Sequence, residues 1–239
     1  MTTAWTSLPW GILYCPRIAI EVIVEMDDRP SSRPLFGYLT LTLDCLIAWL
    51  SVCWSTLRFK TLLRMLGCRY GRKLRVDGRT VVRVRNAAAI TIGDHVSINS
   101  RFMANLAGMT NPTVFQCIDN GSIHIGDDSG CSATVFSSRA SIHVGRQVKI
   151  GSNVRIYDHD FHSLDHLRRR EAAQDGAGCT SAPVVIGDDV FIGANAVILK
   201  GVAIGDRSVI GAGAVVSLKS IPPDSLVGGN PARIIKSLK

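Results

Sequence analysis

The chain is expected to fold as a mainly-β solenoid, a parallel β-helix preceded by an N-terminal helical segment, and three observations lead there. Between Val184 and Val216 aliphatic residues return every six positions, at Ile186, Ile192, Ile198, Ile204, Ile210 and Val216. Two positions before each stands a compact side chain: Val184, Val190, Ala196, Val202, Ser208 and Ala214. Gly187, Gly193, Gly205 and Gly211 follow inward residues, where a missing Cβ would allow the positive φ of a tight corner. This period is neither helical nor plain strand alternation, and self-similarity at a short fixed period marks a solenoid. Each hexapeptide reads as one short parallel strand plus a turn. Three of them close a triangular coil, with the aliphatic residue stacked on its equivalent roughly 4.8 Å away in the next coil.

Composition agrees with a narrow prism filled by aliphatic ladders: of 239 residues 46% are hydrophobic but only 6% aromatic. The formal net charge of +8 calls for an anionic partner. Because the basic residues are scattered and no basic stripe is interleaved with aromatics, nucleic acid is not expected. Anionic lipid and a phosphate-bearing cofactor fit better. The seven cysteines, at 15, 45, 53, 68, 117, 131 and 179, are odd in number and form no CxxC pair. They read as reduced thiols of a cytoplasmic protein, not as a disulfide frame or zinc site. The N-terminus lacks the positive region and cleavage site of a secretory signal, so export is not expected.

Along the chain, residues 1–34 carry no assignable function and end in the linker-like DDRPSSRP. Residues 35–57 are the most apolar stretch and long enough to span a bilayer. Asp44 near the middle would cost about 3 kcal/mol there. Leu39, Leu43, Leu46, Ile47, Leu50, Trp54 and Leu57 recur at three and four, whereas Thr40, Asp44, Ala48, Ser51 and Ser55 lie opposite. Arg58, Lys60, Arg64, Arg69, Arg72 and Lys73 follow. A basic amphipathic helix in the membrane interface accounts for both halves of this pattern, and a helix capping the solenoid's open end is the alternative; the two can coexist. The expected division is therefore 1–73, an apolar and basic region, and 74–239, the solenoid.

The first repeats are irregular, with Val76, Val82, Val84, Ile90, Ile92 and Ile98 in two early coils. NLAGMTNPTVFQCIDNG then interrupts the spacing as an expected loop. SIHIG and SIHVG recur 19 residues apart, which sets Ile125 and Val144 inward and His124 and His143 outward on adjacent coils. Ile150 and Ile156 continue the ladder. Residues 157–183 break it with polar and charged groups, and a long excursion from a rigid scaffold is where binding and chemistry concentrate.

The repeat run, with its tail IPPDSLVGGNPARIIK, is similar to the hexapeptide-repeat acyltransferases, whose fold is a left-handed parallel β-helix. Within the excursion, NVRIYDHDFHSLDHLRRR resembles the site region of the sugar and polysaccharide O-acetyltransferases of that family, the type of the maltose and colanic acid enzymes. The resemblance implies a homotrimer that moves an acetyl group from acetyl-CoA to a sugar or glycan hydroxyl, in a site shared between subunits. It makes His162, in DFHSLD, the general base. It also implies that the pantetheine arm of CoA lies near Gly193, Ala194 and Ala212, with Lys219 and Arg233, and also Lys236, meeting the phosphates.

The chemistry supports a histidine in this role independently. An imidazole, with an ordinary pKa of about 6.5, is partly neutral at working pH, and its proton transfer is worth roughly a hundred- to ten-thousandfold in rate. A neighbouring carboxylate would hold its tautomer. Asp160, Asp165 and Asp158 are the candidates, with Asp160 foremost, and His159 is the competing base. No metal is expected, because His124, His143, His159 and His162 do not match the three-histidine zinc spacing seen in some solenoid carbonic anhydrases. Transfer to an amino sugar, or a non-catalytic scaffold, are the alternative functions. A lipid-linked acceptor would suit an enzyme held peripherally at the cytoplasmic membrane face.

Overall fold

The computed structural model describes residues 35–239; the stretch 1–34, to which no function was assigned, lies outside the described residues. Thr56–Lys239 forms one compact unit. Its strands make three sheets of seven, eight and six strands, taken in turn by the chain so that every third strand returns in parallel to the same sheet, except the last, which doubles back antiparallel on the second sheet. This is the expected triangular parallel coil.

Strand register explains why a six-residue aliphatic pattern closes this fold. In the first sheet Ile92, Ile125, Val144, Ile186, Ile204 and Ile221 are direct partners. The second stacks Val76, Ile98, Cys131, Ile150, Ile192, Ile210 and Val227. The third stacks Val82, Phe115, Phe136, Ile156, Ile198 and Val216. Every inward residue named for the run 184–216 is buried, as are the compact ones two positions before.

The structure corrects the reason for the glycines. Gly187, Gly193, Gly205 and Gly211 do not have positive φ. That conformation falls two residues later, at Asp189, Asn195, Arg207 and Gly213. What Gly193 supplies is clearance: a Cβ there would lie 2.5 Å from the Ala212 amide nitrogen of the next coil. Where the first sheet passes to the second, the aspartates that follow Gly126, Gly187 and Gly205 tie coil to coil. Asp127 accepts the Asp94 amide, Asp188 that of Arg146, and Asp206 that of Asp188, at 2.7–2.9 Å.

The N-terminal helix α1, Leu35–Met65, is continuous. Gly67, at φ +67°, ends it, with the Cys68 amide bonded back to Leu63 O. The basic stretch beyond is therefore not helical, and the first coil begins with the strand Arg69–Tyr70, earlier than the expected boundary at 74. Phe59 and Leu63, four apart on one face of α1, are buried in the core, and Phe59 stands 5.8 Å from the Phe115 ring. Thr56 brackets Val76, donating to its carbonyl and accepting from its amide. The last turns of α1 thus cap the first coil, the capping role weighed above.

A second correction concerns the early loop. The excursion covers residues 100–113, but Val114–Cys117 is a strand whose Phe115 stacks on Phe136 at 5.2 Å. Here two aromatic rings fill the prism where later coils use isoleucine, which hid the repeat. Phe115→Ala should cost about 3–5 kcal/mol, read as a lowered midpoint in denaturant titration, because the emptied space lies between two other rings that cannot collapse into it.

Candidate functional site

The second excursion leaves the third sheet after Tyr157 and re-enters the first at Val184. Its root is a carboxylate. Asp158 is fully buried and accepts from Ser138 Oγ at 2.6 Å, the Arg139 and Ala140 amides at 2.7 and 2.9 Å, and His159 Nδ1 at 3.1 Å. Burial pushes its pKa up, but these four donors together outweigh burial and hold the carboxyl below its ordinary range. His159 is buried too, and its Nε2 has no hydrogen-bond partner among the described residues. Its Nδ1 stands against Asp158, so His159 is also backed by a carboxylate, in a buried position.

Asp160 does not touch His162. It pairs with Lys200 of the next coil and accepts from Thr180 Oγ1 at 2.8 Å. Burial raises its pKa, yet the hydrogen bonds from Lys200 and Thr180 bring it below the ordinary value. Its role in this structure is to strap the far arm of the excursion to the coil.

His162 is held by a residue outside the named candidates. A short helix, α2, Ala172–Gly178, turns Asp175 back onto it: Asp175 Oδ2 lies 2.6 Å from His162 Nδ1, and Oδ1 accepts the Ser163 amide at 2.6 Å. The hydrogen bond from His162, then that from Ser163, depresses the Asp175 pKa. An ionised carboxylate only accepts, so Nδ1 carries a proton, and in the neutral ring Nε2 is then the acceptor. The ring is 71% exposed, beside the exposed Phe161 and Leu164. Arg169 fixes the approach by donating to Ser163 O and Leu164 O, and Arg139 holds α2 through Gly176 O. Asp165 bonds its own turn, through the Leu167 amide.

The residues expected around CoA fall on two corners. Gly193 and Ala194, and Ala212 one coil on, stand where the second sheet passes to the third. Lys219 lies where the third passes to the first, the corner that bears His162, and is exposed. Arg233 and Lys236 are exposed on Ala232–Ser237, a strand that reverses direction and pairs antiparallel with Ser225–Gly229. One chain therefore does not bring His162 and the small-residue corner together.

Elsewhere the outward histidines stack ring on ring, His124 on His143 at 4.6 Å, and burial followed by the neighbouring imidazole lowers the His124 pKa. Among the described residues no cluster of three or more His, Cys, Asp or Glu side chains could hold a metal. Cys117 and Cys131 are buried thiols pushed up to about 12 by desolvation.

The family described as "Hexapeptide repeat of succinyl-transferase" matches residues 183–217. A 2,3,4,5-tetrahydropyridine-2,6-dicarboxylate N-acetyltransferase of Brevibacillus brevis is 58% identical over 59 residues, 25% of each chain. The chain thus spans a quarter of that relative's length. The hexapeptide-repeat acetyltransferase VCA0836 of Vibrio cholerae, solved with acetyl-CoA, is 35% identical over 75% of this chain and 76% of its own, with a TM-score of 0.48. A second structure of VCA0836 covers 98% of this chain and 95% of its own at 29% identity and a TM-score of 0.50. AntD, a Bacillus cereus N-acyltransferase solved with dTDP and coenzyme A, is 20% identical over 75% of this chain and 89% of its own. Its TM-score of 0.58 shows the shared left-handed parallel β-helix.

Asp158→Ala would leave four donors without an acceptor and should destabilise the protein by about 3–5 kcal/mol, with residues 157–183 cut first in limited proteolysis. Because its folded pKa is depressed, Asp158 contributes in full above the ordinary carboxylate value and ceases to as pH falls through the lowered one. Protease sensitivity of the excursion should rise in that acid window in the wild type and rise less in the variant, where Asp160 and Asp175 still titrate.

Proposed function

This chain belongs to the hexapeptide-repeat acyltransferase family, and from that premise we propose that it transfers an acetyl group from acetyl-CoA to a sugar hydroxyl. The observation that carries the reading is the 2.6 Å contact of His162 Nδ1 with Asp175, which leaves Nε2 facing outward as an acceptor. Acetyl-CoA supplies an activated acyl carbon in a thioester. His162 Nε2 takes the hydroxyl proton as the sugar oxygen bonds to that carbon. When the carbon–sulfur bond breaks, the same nitrogen returns the proton to the leaving thiolate. Asp175 keeps the tautomer and stabilises the imidazolium between the two transfers. The acceptor class proposed is a glycan of a surface polysaccharide or a lipid-linked precursor.

The separation of His162 from Gly193, Ala194 and Ala212 on different corners favours a site built from two copies, in a homotrimer. A neighbour's small-residue corner would take the pantetheine arm, and exposed Lys219 and Arg233 the phosphates.

His162→Ala should lower kcat by about a hundred- to ten-thousandfold with the fold intact, and Asp175→Asn should lower it less, with an altered pH profile. Unchanged turnover in His162→Ala would remove the proposed base. Product analysis on matched hydroxyl and amino sugars decides between ester and amide formation, and absence of transfer to any acceptor would favour a scaffold. If the site is shared, mixing inactive His162→Ala and Ala212→Trp subunits should recover activity that neither has alone.

A further inference from the structure

The part of helix α1 before Thr56 carries exposed apolar side chains. Leu43, Leu46, Ile47, Leu50 and Trp54 are each 46–68% exposed. At the α-helical turn of about 100° per residue they fall within an arc of about 100°. Asp44, Ala48, Ser51 and Ser55 lie outside it. Trp49, 46% exposed, lies outside that arc and extends the apolar surface beyond the stripe; exposed apolar side chains in this number mark a docking face.

The charge that follows it identifies the occupant. No acidic residue occurs between Asp44 and Asp77, whereas Arg58, Lys60, Arg64, Arg69, Arg72, Lys73 and Arg75 do. Arg72 and Arg75 have carboxylate partners in Asp94 and Asp77. The other five have none among the described residues; Lys60 and Arg64 lie over the Tyr70 ring, and Arg58 donates to Thr80 O. Arg69 and Lys73 are exposed. An apolar stripe followed by unpaired cations matches a bilayer interface rich in anionic headgroups, where leucines enter the acyl boundary, tryptophan sits at headgroup level and cations meet phosphates.

By length and composition Leu43–Met65 could instead cross a membrane. The last turns of that window are committed elsewhere: Phe59 and Leu63 are buried in the core of the coil, and Arg58, Lys60 and Arg64 interrupt it. We infer that the stripe of α1 lies in the plane of an anionic membrane surface, holding the protein peripherally. This inference does not depend on the transfer reaction.

Full-length protein should float with vesicles of equal parts phosphatidylglycerol and phosphatidylcholine, bind far less to phosphatidylcholine alone, and be released by salt. Leu50→Glu with Trp54→Glu should abolish flotation without lowering the melting temperature, since neither side chain is in the core. Arg69→Gln and Lys73→Gln should each weaken partitioning about fivefold. The inference is overturned if the wild type stays in solution with anionic vesicles. Three other results would also sink it: resistance to carbonate extraction, meaning a span; vesicle binding only after residues 1–34 are removed, meaning self-coverage; or a larger species in solution that the stripe variant dissociates, meaning a second copy covers the face.

Discussion

Each coil rests on the previous one at strand-pairing distance, and nearly everything else follows from that spacing. A side chain that points inward has only its own equivalent above and below, so the ladder Ile125, Val144, Ile186, Ile204 must be built of residues that stack without voids. At the corners the same spacing leaves no room for a Cβ at Gly193, and it puts the Asp188 and Asp206 carboxylates within reach of the amides of the preceding coil. Apolar stacking inside and the aspartate ties at the edge act along the same axis, so the prism is rigid in the direction in which coils are added.

A rigid prism has few places where the chain can depart from it, and both excursions leave at corners. The longer one is fastened at its root by buried Asp158 to the coil before and by the Asp160–Lys200 pair to the coil after. With both ends held, the middle can present His162 outward and still keep it against Asp175. Rigid backing with an open face suits the role of base proposed for it, since a carboxylate on one ring nitrogen fixes the tautomer and the orientation of the other. At the other end of the chain, α1 divides its labour by position: Phe59 and Leu63 close the coil, while the stripe ending at Trp54 stays outside the core.

Much of this was legible as periodicity. The run from Ile186 to Val216, the 19-residue recurrence of SIHIG and SIHVG, and the break at 157 all map onto observed register, because stacked coils demand the same residue class at the same offset. The strand Val114–Cys117 was not legible, since Phe115 fills the interior with a ring where the pattern asks for an aliphatic, and an interruption just before it masks the offset. The role of Gly193 was misread as a φ requirement because local sequence shows a glycine but not the backbone stacked upon it. Asp175 escaped for a related reason: thirteen residues from His162, it reaches the ring only because α2 doubles back.

By itself the sequence determined what repeats: the coil, its inward ladder, its corners and the stretch where chemistry was to be sought. These depend on residue class at fixed spacing, which a linear text displays. The tertiary structure decided what meets: that Asp160 belongs to Lys200, that Asp158 holds the buried His159, that Asp175 backs His162, and that His162 and the small-residue corner stand on separate edges. Those pairings depend on where a loop folds back and on how closely two coils approach, distances that no periodicity encodes.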